Sequence, residues 1–482
     1  MNINRYDIIL KPDNRRVLYR PFDLKSKERI IRIISRVHML SEEEVSIQLQ
    51  RVLTDFHKRH EKLLQFFYHQ FEQYKDFLIL DNDLSDERKL LLGAYFTQEY
   101  SYESSGLFNP SLVWHPDQSG LPNGAKRFIM SLRAVGEGHI SSITFRSGVI
   151  DKDYIIHIDT PLPFVTEPRK IPNYAYEKEI YKRKLEELGL IDDFSTGVLS
   201  EIRPTFTLDE LQEIINRSLR KNRRLIHENT RTADGMVILA ISNYEVQFSA
   251  EDDISERVIF PSSMAEANGI EDARFVEFKN DDGSVTYYAL YTAFDGRIIL
   301  PQLLETRDFL NFRINTLNGP AIENKGMALF PRRINGRYAM LSRQDNENNY
   351  IMFSDSIHFW YKKQLLIKPF YPWEFVQVGN CGSPIETNRG WLVLSHGVGP
   401  MRKYVIGAYL LDLDDPTRVI GRLREPLLSP NENEREGYVP NVVYSCGSLV
   451  FGDTLIIPYA MSDYASSFTS VKLSEVLDEL ER

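Results

Sequence analysis

The feature that most constrains the fold is a hairpin opening that recurs. A polar or Pro-containing step leading into short apolar strands appears at FNPSLV (108), EDARFVEF (271), MALFPRRINGRYAML (327), SPIETNRGWLVLSH (383) and VPNVVYSCGSLVFGDTLIIPY (439). The last four begin about 56 residues apart, the length of four short strands and their turns. Turn dipeptides punctuate this region at Asp234-Gly235, Asp282-Gly283, Asp295-Gly296, Asn335-Gly336 and Gly452-Asp453. Each fits a tight hairpin between β-branched and aromatic runs. The expectation is an all-β chain, a five-bladed β-propeller over residues 106–482; the alternative is a β-sandwich with fortuitous spacing.

Two stretches break the β texture. Apolar side chains at spacings of three and four run through Val45, Leu49, Val52, Phe56, Leu63, Phe67, Phe71 and Tyr74, which predicts one long amphipathic helix within an N-terminal helical extension, residues 1–105. Ser41 with Glu44 three residues on marks its start as a capping box. A shorter helix is expected at 85–96. The stripe is expected to pack against the rest of the chain or to pair subunits as a homo-oligomer; His57, His60 and His69 have no partner at metal-ligand spacing and take no role. The second break, near 168–222, has helical spacing and a capping box at Thr207 and Glu210, and reads as a helical insertion.

Composition excludes several functions. With 58 Lys+Arg against 68 Asp+Glu the net charge is −10, which gives no footprint for a nucleic-acid backbone. Cys381 and Cys446 are the only cysteines, and no CxxC or HExxH spacing offers a metal site. No run has the roughly 18 apolar residues of a membrane span, and the first residues lack a signal-peptide core, so a cytoplasmic location is expected.

In a propeller the polar residues that open successive repeats converge on one axis. Here they are Asn109, Glu271, Asp272, Arg274, Lys325, Glu386 and Asn441, with Arg133 and Asp463 from the ends of the same repeats. Acids, amides and guanidinium groups of this kind suit vicinal hydroxyls. They equally suit ties between neighbouring blades.

The segments FNPS (108–111), GEGHISSITFR (136–146), GIEDARF (269–275), KGMALFPRRINGRYAML (325–341), PIETNRGWLVLSHGV (384–398), LLDLDDPTRVIGR (410–422) and YVPNVVYSCG (438–447) together resemble glycoside hydrolase family 130. That family contains β-mannoside phosphorylases and β-1,2-mannosidases on a five-bladed propeller. The resemblance implies an inverting mechanism with Asp272 as general acid, acting through a hydroxyl of the bound mannose, and Asn109, Arg133 and Asp463 as holders of that mannose. Ala273 stands where the family's Glu-Asp-Pro-Arg motif has Pro. Ser342 stands where its phosphorylases carry a phosphate-binding His, and Asp345 and Glu347 follow closely. Negative charge there repels phosphate, which favours water as nucleophile. Glu347 and Asp345 are then the base candidates, with Glu137 behind them, while Arg343, Lys325 and His396 are available to sugar or phosphate. The expected function is an inverting β-1,2-mannosidase releasing mannose from manno-oligosaccharides. A phosphorylase producing mannose 1-phosphate and a non-catalytic carbohydrate-binding propeller are the alternatives. No cofactor, metal, nucleic acid or membrane is implied.

Overall fold

The computed structural model describes residues 1–78, 84–172, 174–221, 226–294 and 299–481. Within them the chain is mostly β and forms five antiparallel sheets of four or more strands, taken in sequence order. The first joins Gly106–Trp114, Lys126–Val135, Ser141–Ile150 and Val258–Ile259. The second runs from Ile270–Lys279 through Val285–Phe294, Ile299–Thr306 and Asn311–Thr316 to Tyr244–Gln247 and Arg169–Lys170. The third comprises Lys325–Leu329, Tyr338–Arg343, Asn349–Ser354 and Lys363–Ile367. The fourth is built on Gln377–Asn380, Gly390–Val398, Tyr404–Leu411 and Val419–Arg422. The fifth is built on Val443–Tyr444, Thr454–Met461 and Ala465–Lys472 and is completed by Asn4–Arg5 from the other end of the chain.

The sheets touch in cyclic order. Gly106–Trp114 packs on Ile270–Lys279, Val285–Phe294 on Lys325–Leu329, Tyr338–Arg343 on Gln377–Asn380, Tyr404–Leu411 on Val443–Tyr444, and Thr454–Met461 back on Gly106–Trp114. Apolar side chains fill the gaps between neighbours: Phe278, Leu290, Met327, Met340 and Trp360 between the second and third sheets, Leu392, Ile406, Leu455 and Ile457 between the fourth and fifth. Strands buried on both faces explain the nearly unbroken apolar runs such as Gly390–Val398.

Four expectations about local structure change. The single long helix is two, α2 (Glu42–Phe56) and α3 (Leu63–Tyr74), preceded by α1 (Lys27–His38) and followed by α4 (Asp86–Tyr95). The His57 ring bonds the Leu53 carbonyl at the end of α2 (2.7 Å), and His60 turns inward to Glu99 (2.9 Å), so the charged run between the apolar stripes makes the corner. Ser41 and Glu44 form the predicted capping box. The chain before α1 is not helical: Asn4–Arg5 joins the fifth sheet and Leu18–Pro21 pairs with Thr97–Tyr100.

The insertion continues past 222, as α5 (Lys178–Glu187), α6 (Asp193–Glu201), α7 (Leu208–Lys221) and α8 (Ile226–Ile241). Asp234-Gly235 therefore lies inside α8 and is no hairpin turn. Gly235 lies against the Leu190 side chain, whose Cδ1 a Cβ would meet at 2.8 Å. The pairs at 282, 335 and 452 do turn hairpins, whereas Asp295-Gly296 lies outside the described residues. A last helix, α9 (Leu473–Leu480), closes the chain, and among the described residues no helix is long and apolar enough to cross a membrane.

Candidate active site

The first strands of three sheets carry the same irregularity. Register shifts between Phe108 and Ser111, between Glu271 and Arg274, and between Lys325 and Ala328. The second residue of each bulge has a positive φ: Asn109 at 51°, Asp272 at 55°, Gly326 at 85°. Asn, Asp and Gly are the residues that tolerate the left-handed region. The bulges re-aim Asn109 and Asp272 toward each other across adjacent sheets.

Asp272 is the centre of the cluster. Its Oδ1 accepts from Asn109 Nδ2 (2.6 Å) and from Arg133 Nη1 (3.4 Å). Arg133 Nη2 donates to Glu271 (3.0 Å), and Lys325 Nζ lies 3.9 Å from the other Glu271 oxygen. Arg274 bonds the Asp272 carbonyl (3.1 Å) and the Tyr444 hydroxyl (2.6 Å). Burial pushes the Asp272 carboxyl up, but Arg133, Arg274 and Lys325, with the Asn109 hydrogen bond, outweigh it and hold it below its ordinary value. Asp463 behaves oppositely. Burial, reinforced by the nearby negative charge of Asp272, pushes it up to about 6.

A second group sits beside this one. Arg343 Nη1 donates to His396 Nε2 (3.2 Å), so His396 carries its proton on Nδ1 and donates it to the Asn380 carbonyl (3.2 Å). Burial, then the charges of Arg343 and Arg274, drive His396 well below its ordinary value, so it stays neutral. Among the described residues no carboxylate side chain forms an ion pair with Arg274 or Arg343. Both guanidinium groups are buried, and each Nε has no partner. The Asp272 and His396 groups join through Arg274 and Tyr444, whose ring lies 4.9 Å from His396.

The remaining sequence-predicted residues make no hydrogen bond or ion pair with the side chains of Asp272 or Arg343 among the described residues. Asp345 is not free to act as a base. Its oxygens accept from the N–H groups of Glu347 (3.0 Å) and Asn348 (2.8 Å), the Asn348 amide (2.6 Å) and the Tyr350 hydroxyl (2.7 Å). Those bonds overcome burial and hold it far below its ordinary value, as a turn residue. Glu347 is exposed on the same turn, and Glu137 is exposed in the loop before Ser141–Ile150. Glu386 makes a two-point pair with Arg332 (2.7 and 2.8 Å) in a cavity with Trp114 and Lys279, which are at the far ends of the strands that carry Asn109 and Asp272. At about 3.3 Å per residue the five residues from Asn109 to Trp114 put it well away from Asp272. Ser342 is fully buried with no partner for its hydroxyl.

Sequence reasoning missed Tyr444 and Asn380. Tyr444 follows the opening step VPN of the last repeat by three residues, as Arg274 follows Glu271, and that offset was the available signal.

The arrangement combines one carboxyl held by donors, polar groups for hydroxyls, and two buried cations that, among the described residues, make no direct ion pair with a carboxylate. A profile of the family described as beta-1,4-mannooligosaccharide phosphorylase matches residues 221–482, which include Asp272, Lys325, Arg343, His396 and Asp463. The chain is 38% identical over 231 residues to a 1,2-beta-oligomannan phosphorylase of Thermoanaerobacter sp. (strain X514), covering 46% of this chain and 75% of that protein. It is 34% identical over 231 residues to a beta-1,2-mannobiose phosphorylase of Listeria innocua serovar 6a, covering 46% and 63% respectively. The solved Listeria innocua beta-1,2-mannobiose phosphorylase in complex with beta-1,2-mannobiose aligns with a TM-score of 0.47 at 24% identity, over 78% of this chain and 92% of that one. With more than half of the chain inside the family profile, and the Glu271-Asp272 bulge within that match, this protein belongs to glycoside hydrolase family 130.

Proposed function

We propose that the five sheets are blades of a five-bladed propeller and that the chain is an inverting β-mannoside phosphorylase, most suited to β-1,2-linked manno-oligosaccharides. The observation that carries phosphorolysis is the pair of buried guanidinium groups, Arg274 and Arg343, with no carboxylate ion-pair partner among the described residues. A site that uses water needs a base across the sugar. A site that uses phosphate needs cations. Of the carboxylates proposed from sequence as bases, Asp345 is tied into a turn by four hydrogen bonds and Glu347 and Glu137 are exposed in loops, which supports the buried cations, and so phosphate, over a base and water. The named phosphorylase relatives support the same reading.

The chemistry balances without a cofactor. A phosphate oxygen held by Arg343, Arg274 and Lys325 attacks the anomeric carbon, and the bond to the leaving oxygen breaks on the opposite face. The leaving oxygen takes a proton from Asp272 through a mannose hydroxyl. In the free protein the surrounding cations keep Asp272 ionised. Arrival of a phosphate dianion offsets those cations and raises the carboxyl toward its protonated form. Acid and nucleophile are thereby loaded together. Asn109, Arg133 and Asp463 hold the sugar.

The test is product analysis on β-1,2-mannobiose with and without inorganic phosphate. Phosphorolysis predicts mannose 1-phosphate that requires phosphate, and a loss of about 10²- to 10⁴-fold in turnover for Asp272→Asn, the usual contribution of a general acid. Free mannose at an equal rate without phosphate would return the assignment to hydrolysis, which Ser342 in place of the expected His still favours.

A further inference from the structure

A cavity of about 380 Å³ lies where the segment entering the helical insertion crosses the edge of the second sheet, and it shares no residue with the Asp272 cluster. Small-ligand cavities begin at about this size. Its wall on the sheet side is Arg313 and Asn315, two residues apart on one strand and so on one face. Its other walls include Tyr174, His358 and Asn318.

The polar atoms here are only partly used. Arg313 donates its Nε to Glu245 (2.6 Å), and its two terminal nitrogens take no partner among the described residues. Asn315 accepts from the Tyr174 hydroxyl through Oδ1, and its amide nitrogen makes no bond to a described residue. The His358 ring bonds to none of them either. Asn318 is 1% exposed and gives its amide hydrogens to the carbonyls of Thr316 and His358 (both 3.1 Å), while its Oδ1 has no partner. Asn318 Oδ1 is thus a buried acceptor left open at the cavity wall, which a structural core does not ordinarily leave, while the Arg313 guanidinium is exposed and the His358 ring half-buried beside it.

The chemistry selects the ligand. The cations are already neutralised, Arg313 by Glu245 and Lys184 by Glu187 (3.0 Å), so an anion gains no net attraction. The open donors and acceptors rule out an apolar ligand. A guanidinium edge, a carboxylate, an amide, an imidazole and the half-buried Tyr174 ring together fit the hydroxyls and C–H face of a pyranose. We infer that this cavity is a second, non-catalytic carbohydrate site that binds a glycosyl unit of an oligosaccharide. The mannosyl identity of the probe rests on the proposed function; the sugar-binding chemistry of the cavity does not.

The experiment is calorimetric titration of the full chain carrying Asp272→Asn and Arg133→Ala with β-1,2-mannotriose, which silences the first site. Binding that persists there, and disappears on adding Ala175→Trp to fill the rim of the cavity, is the expected result. Asn315→Ala, which removes only an amide, should weaken that binding at least severalfold and leave turnover of mannobiose by the otherwise native chain unchanged. Absence of binding to the silenced protein, or binding indifferent to both cavity variants, overturns the inference. If the native chain then still turns over mannosides, the proposed function stands without it; if cavity binding survives and no turnover occurs under any phosphate condition, the second site stands and the proposed function falls.

Discussion

Replacing Arg343 with Gln separates phosphate from water as the nucleophile. Arg343 is 6% exposed, touches His396 Nε2 at 3.2 Å, and has no carboxylate ion pair among the described residues. A charge-assisted hydrogen bond from such a group to a phosphate oxygen contributes about 1.5–3 kcal/mol. At 1.36 kcal/mol per factor of ten, Arg343→Gln should raise the KM for phosphate about 10- to 150-fold. Gln keeps a donor for His396 and leaves the mannose subsite intact, so kcat at saturating phosphate should fall much less. Stability should move the other way. Removing a buried cation with no counter-charge is neutral or stabilising, so the thermal midpoint without phosphate should hold or rise. Phosphate should raise the midpoint of the native protein by preferential binding to the folded state, and barely raise that of the variant. Initial rates of mannose 1-phosphate formation against phosphate concentration, with melts in both buffers, measure all of this. An unchanged phosphate KM, or an equal phosphate-induced shift in both proteins, would refute the anion-site reasoning.

Asp463→Asn should stabilise the protein above about pH 6 and weaken mannoside binding. Its native carboxyl is raised to about 6 by burial and by Asp272, so the fold loses stability as pH climbs from about 4 to about 6, where the unfolded chain ionises this group and the native one resists, and the advantage of Asn should be complete above that window and vanish below it. Melting curves across pH 4–8 check the sign. Asp345→Ala should cost about 1 kcal/mol in urea unfolding through the lost turn bonds, with kcat unchanged, the opposite of what a catalytic base would show. Gly93→Ala places a Cβ 1.8 Å from the Phe67 carbonyl oxygen where α4 crosses α3; overpacking of about 1–3 kcal/mol should appear in denaturant unfolding, with the kinetics of the folded fraction unaltered.

Hairpin punctuation and recurring openings made the five-sheet organisation legible because each repeat buries its strands against the next and so rewrites the same apolar pattern. What sequence could not show was which end of a strand each polar residue serves. Glu386 and Asp272 both open repeats, yet Glu386 lies in a cavity with strand-end residues such as Trp114 and pairs with Arg332. Nor did charge type reveal use. Asp345 reads as a carboxylate near a catalytic hairpin, and only its four hydrogen bonds show that it is consumed by a turn. The continuous helix at 42–74 failed because a periodic stripe does not record a corner when the corner residues, His57 to Lys62, are polar on every face. Asp234-Gly235 failed for the opposite reason: a glycine that admits a neighbouring Leu looks, in sequence, like one that turns a hairpin.

The repeated bulge connects fold to chemistry. A regular first strand would send its side chains alternately toward one neighbouring sheet and the other. One extra residue at the same place in three sheets breaks that alternation, and the left-handed residue it creates points along a new direction. Holding Asn109 and Asp272 at φ near 50° costs backbone energy that a Val or Leu would raise further. The cost is offset locally: the 2.6 Å bond between them and the Arg274 bond to the Asp272 carbonyl hold the strained residues in each other's reach. The third bulge carries Gly326, which has no side chain to contribute, and a Cβ there would stand 3.0 Å from Arg343. That position therefore lets the paired strand carrying Arg343 approach closely. The same backbone device presents an amide and a carboxyl in two sheets and makes room for the strand of Arg343 in a third, so that the Asp272 and His396 groups join through Arg274 and Tyr444 although 71 residues separate Asp272 from Arg343.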